Sequence, residues 1–215
     1  MGRQKGQNFE REESRFLSLW WTENKMDDIF WRQRVKITSK TPHAERQLGD
    51  ITAVHTIGLP FVEMFNVELK AGYSRQTTKQ AKKNNDKRNE KRIKAGKEPK
   101  PLSVHNTPWD LLDVIDSNKI DDNLEIIQFW DQCKSDAELS GRIPLLIFKR
   151  DFHLPVVVIN ENSFGWSEIT DHLNDLKSRK MKLFLKGEIL TFYRHDDFFE
   201  WLDPETIKII HRRKS

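Results

Sequence analysis

The sequence predicts an α/β fold on three observations. Large apolar side chains recur at helical spacing at the start of the chain; apolar runs of strand length lie on both sides of a polar, basic stretch; and a second helical segment leads directly into two more apolar strands. The resulting order is helix, strand, strand, strand, insertion, helix, strand.

Each element has its own signal. Phe9, Phe16, Leu17 and Trp20 predict a helix over 8–21 with one face toward a core. Residues 29–37 read as a strand or extended segment, followed by a polar loop from Thr38 to Gly49. Two extended runs come next, Asp50–Thr56 and Phe61–Lys70. The short Ile57-Gly58-Leu59-Pro60 link between them predicts an antiparallel hairpin. Residues 109–115 suggest a short helix, and 123–139 a longer one that Gly141 terminates. Ile143–Lys149 and Leu154–Ile159 are apolar strands. A helix over 166–176, a hairpin over 182–193 and a short amphipathic helix over 196–202 complete the chain. The expected organisation is a core over 1–160, interrupted by a basic insertion at about 75–108, with a C-terminal α/β extension over 161–215 packed on it.

Charged residues make up 33% of the 215 residues and hydrophobic ones 36%, so a polar surface or a segment outside the core is expected. Arg75–Lys100 holds eleven Lys/Arg against three Asp/Glu, a net +8 within a chain of net +4, so the basicity is local. That stretch has too few apolar residues to bury a core. It reads either as an arm that grips a polyanion, through Lys79, Lys82, Lys83, Lys87, Arg88, Lys91 and Arg92, or as a solvated charged loop. Its Asn and Gln residues would allow base contacts, but nothing in the stretch marks base specificity. The single cysteine, Cys133, excludes an intrachain disulfide and a Cys-rich zinc module, and it fits a reducing, cytoplasmic compartment. No apolar run is long enough to span a bilayer, so a soluble protein without a membrane partner is expected.

The chemistry is expected where carboxylates fall at strand ends. Asp50 opens one strand; Glu68 and Lys70, two apart, share a face near the end of the next. Magnesium or manganese takes oxygen ligands from one or two carboxylates, with water and phosphate oxygens completing the shell. Such an ion polarises a phosphodiester and lowers the pKa of the attacking water, and a neighbouring lysine holds that water. Alone, Asp…Glu-x-Lys also describes a solvated strand end with a Glu–Lys pair.

The joint pattern is more specific. Gly6-Gln7-Asn8-Phe9-Glu10-Arg11-Glu12 resembles the Gly-x-x-x-Glu-Arg-Glu start of the archaeal-type Holliday junction resolvases, a branch of the PD-(D/E)XK nucleases. Asp50 and Val67-Glu68-Leu69-Lys70 resemble that family's strand carboxylate and Glu-x-Lys. Gln128-Phe129 and Gly141-Arg142-Ile143-Pro144 resemble its second helix and the strand after it. The resemblance spans most of 3–75 and 123–159. It implies a restriction-endonuclease-like core with a mixed central sheet flanked by helices, Mg2+ dependence with Mn2+ able to substitute, and a homodimer acting on a branched or four-way DNA junction. By the same resemblance Glu10, Asp50, Glu68 and Lys70 form the catalytic set, with Glu10 completing the metal site. Arg11 contacts phosphate, Arg46 lies on the DNA side, and Gln128 stands near the site.

The chain departs from the family in its basic insertion, its long tail and Glu13. Glu13 falls on the apolar helix face and is the alternative to Glu10 as a metal ligand. These departures keep a restriction-like, homing or repair/nicking endonuclease as the alternative substrate class, and a DNA-binding protein without enzymatic activity behind it. A phage or mobile-element origin is compatible with the pattern. His43 reads as a loop histidine, His55 as structural, Cys133 as a buried hydrophobe, and Phe192, Tyr193, Phe198, Phe199 and Trp201 as packing of the tail.

Overall fold

The computed structural model describes residues 2–33, 48–71, 78–100, 125–150, 153–163, 180–185 and 187–214. The chain divides into two compact units, one of Met1–Gly72 with Ile127–Ser215 and one of Tyr73–Ile126. Among the described residues no helix is long and apolar enough to cross a membrane.

In the first unit, helix α1 spans Gly2–Trp21 and begins earlier than its apolar spacing predicts, because the polar residues before Phe9 give no amphipathic signal. Phe9, Glu13, Leu17 and Trp21, four apart, share its buried face. Ser18 beside them accepts the Phe30 amide through its hydroxyl at 2.9 Å and so satisfies the first strand. That strand, β1 (Phe30–Arg32), pairs antiparallel with β2 (Ile51–Ala53). Residues 34–37 of the expected strand, together with His43 and Arg46, lie outside the described residues.

The expected hairpin does not form. A 3-10 turn (Thr56–Gly58) and a short helix α2 (Leu59–Met64) separate β2 from strand β3 (Phe65–Ala71). Phe61 and Phe65 are four apart, which suits a helix turn as well as strand alternation. Pro60 at the helix start and Gly58 decide between the two. A Cβ on Gly58 would lie 2.8 Å from Ile29 Cγ2 and 2.8 Å from a Phe30 ring carbon, so the 3-10 turn packs directly on β1.

β3 runs parallel to β4 (Ile143–Lys149), in register from Phe65 opposite Ile143 to Ala71 opposite Lys149. A five-stranded mixed sheet follows, in the order β3-β4-β5-β7-β6, where β5 is Val156–Asn160, β6 Lys180–Leu185 and β7 Glu188–Arg194. The other pairings are antiparallel. Residues beyond 160 therefore supply two of the five strands, because β7 adds directly to the edge of β5. The hairpin turn at Gly187 (φ +85°) matches the sequence expectation, and the helix expected over 166–176 lies outside the described residues.

Helix α4 (Glu125–Ser140) ties the two ends of the sheet together. Cys133 packs against the Asn66 carbonyl of β3, while Trp130 donates to Glu188 of β7 at 3.1 Å and Lys134 pairs with the same carboxylate. Two C-terminal helices, α5 (His195–Trp201) and α6 (Pro204–Lys214), finish the unit; the sequence signalled only the first. Trp20 of α1 donates to the Phe199 carbonyl at 2.7 Å, which joins the first and last parts of the chain. In the second unit the described element is a single basic helix, α3 (Thr78–Lys94), with the return segment Ala95–Lys100. The segment expected as a helix over 109–115 lies outside the described residues.

Candidate active site

Gly49 delivers Asp50 to the site. Its φ of +88° belongs to the left-handed region that glycine tolerates, and a Cβ there would sit 2.9 Å from Asn66 Oδ1 and 3.1 Å from the Val67 carbonyl. Gly49→Ala is therefore expected to cost about 1–3 kcal/mol and to displace Asp50. Urea denaturation should show the loss, and an unchanged midpoint would mean the turn is not under this constraint.

The turn docks Asp50 along β3. Its amide donates to the Val67 carbonyl at 2.7 Å, and its Oδ2 accepts the Leu69 amide at 2.7 Å. Glu68 projects beside it and is buried, 4% exposed, although β3 otherwise offers apolar side chains on that stretch. Glu68 Oε1 accepts both the Lys70 ammonium and the Gln132 amide, the latter at 2.8 Å; Lys70 Nζ also donates to Gln132 Oε1 at 3.0 Å. Lys70 lies 5.7 Å from the centre of the Phe129 ring. One lysine is thus held by a carboxylate, an amide and an aromatic face.

Two neighbouring carboxylates in a buried place resist ionisation. Burial raises the Asp50 pKa from 3.8 to about 7; the charges of Glu68 and Glu10 add to this, while the Leu69 amide and Lys70 oppose it. Burial likewise raises Glu68, against the charge and hydrogen bond of Lys70. Asp50 Oδ1 and Glu68 Oε2 have no hydrogen-bond partner among the described residues.

The structure distributes the other expected residues unevenly. Glu10 lies close enough to bear on both carboxylates, but its own Oε2 accepts from Arg32 Nη1 at 3.3 Å. Glu13 faces elsewhere: its Oε1 is 2.7 Å from His195 Nε2 in a buried pair. Among the described residues no three His, Cys, Asp or Glu side chains converge as a metal cluster. Arg11 and Gln128 are exposed. On α3, Lys83, Lys87, Arg88 and Lys91 are exposed and Arg92 is half-buried, while the side chains of Lys79 and Lys82 lie outside the described set.

Two residues in this neighbourhood were not anticipated. Gln132, one turn beyond Gln128, is the glutamine that bonds Glu68 and Lys70. The signal was present: Phe129, Gln132, Cys133 and Asp136 follow i, i+3, i+4, i+7 and so face one way, toward β3. Arg32 is the other. Its side chain is 12% exposed, pairs with Glu10, and leaves Nε without a partner among the described residues. In the sequence it is one cation after Phe30 and Trp31, and only its burial distinguishes it.

A model of the family described as phage putative PDDEXK endonuclease matches residues 109–208. No curated protein and no solved structure matches the chain. The matched stretch takes in all of α4, β4 to β7 and α5 and the start of α6, and it begins after Asp50, Glu68 and Lys70. It joins the restriction-endonuclease-like architecture, a five-stranded mixed sheet flanked by helices, to the family's description. The matched stretch, residues 109–208, is similar to that family and supports the PD-(D/E)XK nuclease superfamily for this chain.

Proposed function

We propose that the chain is a divalent-metal-dependent DNA endonuclease whose catalytic residues are Asp50, Glu68 and Lys70, with Glu10 beside them. The observation that carries the reading is the pair of neighbouring carboxylates, Glu68 buried and Asp50 half-buried, next to one anchored lysine. A phosphodiester brought to two carboxylates is repelled unless a cation lies between them.

The residues fit such an ion. Each carboxylate keeps one oxygen without a described partner; the charge of Glu68 bears on Asp50, and those of Asp136 and Glu10 bear on Glu68, which a cation would relieve. With two protein carboxylates, the remaining ligands are phosphate oxygens and water, as magnesium accepts and manganese tolerates. Bound there, the ion supplies polarisation of the phosphate and a lowered pKa for the attacking water.

The chain's own residues perform the rest. Lys70, fixed by Glu68 and Gln132, orients the water and offsets charge developing on the phosphate. Gln132 keeps Lys70 from turning away. Arg32, held by Glu10, adds a positive charge beside the two carboxylates. Arg11 and Gln128, both exposed, are read as DNA contacts, as are Arg46, which lies outside the described residues, and the lysines and arginines of α3 from Lys79 to Arg92.

The substrate proposed is a four-way junction cut by a homodimer, which is what the resemblance of the Glu-Arg-Glu, Asp and Glu-x-Lys segments to the archaeal-type Holliday junction resolvases implies. The test is cleavage of a labelled immobile junction beside a linear duplex of matched sequence, with MgCl2 and with Asp50→Ala as control. Paired symmetric nicks in the junction alone are expected. Cutting of the linear duplex as well would retain the metal site and replace the substrate by that of a restriction-like or repair nuclease. Cutting that persists in Asp50→Ala would remove the assigned site.

A further inference from the structure

The helix α3 has two unlike sides. Its return segment is pinned by asparagines: Asn85 Nδ2 and Asn89 Nδ2 donate to the Lys100 carbonyl at 3.3 and 2.8 Å, and the Lys100 amide donates to Asn89 Oδ1 at 2.8 Å. Arg92 Nε donates to the Glu98 carbonyl at 2.8 Å, and Gly96 (φ +67°) makes the reversal. The asparagines that the sequence offered for base contacts are therefore spent on the fold.

On the other side, Lys83, Lys87, Lys91 and Lys94 follow i, i+4, i+8, i+11. At 3.6 residues per turn they fall within about 80° of arc and extend over about 16 Å. Arg88 flanks them, and the two carboxylates of the helix, Asp86 and Glu90, lie off the opposite edge. All four lysines and Arg88 are exposed, and none forms an ion pair with another described residue. A lysine row of this kind is costly through self-repulsion unless a polyanion neutralises it. It has no apolar residue to seat a protein or membrane partner; the exposed Ile93 lies on the far side of the carboxylate edge.

We propose that the Lys83–Lys87–Lys91–Lys94 row is a docking surface for the phosphate backbone of duplex DNA that reads charge and not base sequence. The inference rests on the nuclease reading for its partner and deepens it. Four ammonium groups on one strip match a run of phosphates, displace counterions and leave nothing to form a bidentate bond with a base edge.

The experiment is fluorescence anisotropy of the full chain on two duplexes of unrelated sequence, in EDTA, over a range of KCl. The variant is Lys83→Gln/Lys87→Gln/Lys91→Gln/Lys94→Gln, which keeps helix propensity. With one phosphate per lysine, the slope of log K against log salt should fall by about 3–4 in the variant. Between 50 and 200 mM salt the wild type should then lose about 10²-fold more affinity than the variant. Both duplexes should bind alike, and four arginines in place of the lysines should restore the slope.

An unchanged slope in the glutamine variant would overturn the proposal. So would a tenfold preference for one duplex. Phosphatidylserine vesicles that bind the wild type more tightly than duplex, and release the variant, would transfer the row to a lipid surface. Because no divalent ion is present, a chain that never cuts DNA but loses its slope keeps this inference and sinks the nuclease site. A chain that cuts normally with an unaltered slope does the reverse.

Discussion

Asp50→Asn is expected to abolish cleavage and, without divalent ions, to raise the melting temperature above pH 7. Asparagine keeps an oxygen to accept the Leu69 amide, so the turn survives the change. What disappears is a buried negative charge facing Glu68. Folding raises the Asp50 pKa from 3.8 to about 7, so the folded protein holds a proton that the unfolded chain has released. The stability this confers is complete at low pH and is lost as pH rises through about 7. At pH 8 the ionised wild type should be less stable than Asp50→Asn by about 2–4 kcal/mol, with the gap closing toward pH 5. Thermal melts in EDTA at the two pH values measure it. A lower melting temperature for Asp50→Asn at pH 8 would show that the two carboxylates do not oppose each other. Adding MgCl2 should stabilise the wild type and leave Asp50→Asn nearly unmoved, because a ligand that binds the folded state alone adds stability by mass action.

The second large effect is expected at the Glu13–His195 pair. His195 Nε2 lies 2.7 Å from Glu13 Oε1, and its Nδ1 lies 3.1 Å from Asp196 Oδ1. Both ring nitrogens meet carboxylates, so both carry protons and the ring is an imidazolium. The Phe16 and Phe199 rings enclose it, with centroids 4.3 and 4.9 Å away. Burial would lower its pKa, but Glu13 and then Asp196 outweigh that and raise it. Glu13→Ala leaves this cation buried with its main partner gone and should cost about 3–5 kcal/mol. Glu13→Leu with His195→Phe, which removes both charges together, should recover most of that. With the folded pKa above the ordinary 6.5, the pair's contribution is complete below 6.5 and fades as pH climbs through the raised value. In the Asp50→Asn background, where Asp50 no longer titrates, the urea midpoint should therefore fall as pH rises from 6.5, and His195→Gln should remove that slope. A midpoint in that background that stays flat from pH 6.5 to 9 would contradict the imidazolium.

Glu13 also shows where the sequence was legible and where it was not. Helical spacing put it on the buried face of α1, which is correct, and its charge then suggested a metal. Its partner is His195, 182 residues away, and no local pattern announces a pairing over such a separation. Asp50, Glu68 and Lys70 could be singled out because their signals are local: a glycine turn and an i, i+2 pair. Gln128 entered on the family resemblance alone, whereas Gln132, one turn on, is marked only by the helix face it shares with Phe129 and Cys133. The hairpin failed for a related reason. Phe61 and Phe65 fit both periods, and Pro60 with the close contact at Gly58 tips that stretch into a helix. The boundary expected at 160 passes through the sheet, since only three-dimensional pairing shows that β7 completes what β5 begins.

The parallel pairing of β3 with β4 has a consequence for how the molecule is made. Residues 72–142 lie between these neighbours, so the edge strand β3 joins the sheet by bringing together points far apart along the chain. Each doubling of such a loop adds only about 0.6 kcal/mol of closure entropy, so the finished protein is nearly indifferent to its length. Assembly is more sensitive. During synthesis, the β3 carboxylate Glu68 emerges on a strand that has no β4 neighbour until residues 143–149 are made, and an unpaired edge invites association with other chains. The segment made in that interval is Arg75–Lys100, with its net +8. Like charge holds nascent copies apart while the edge is open, so the same lysines shield the unfinished chain before they ever meet a ligand.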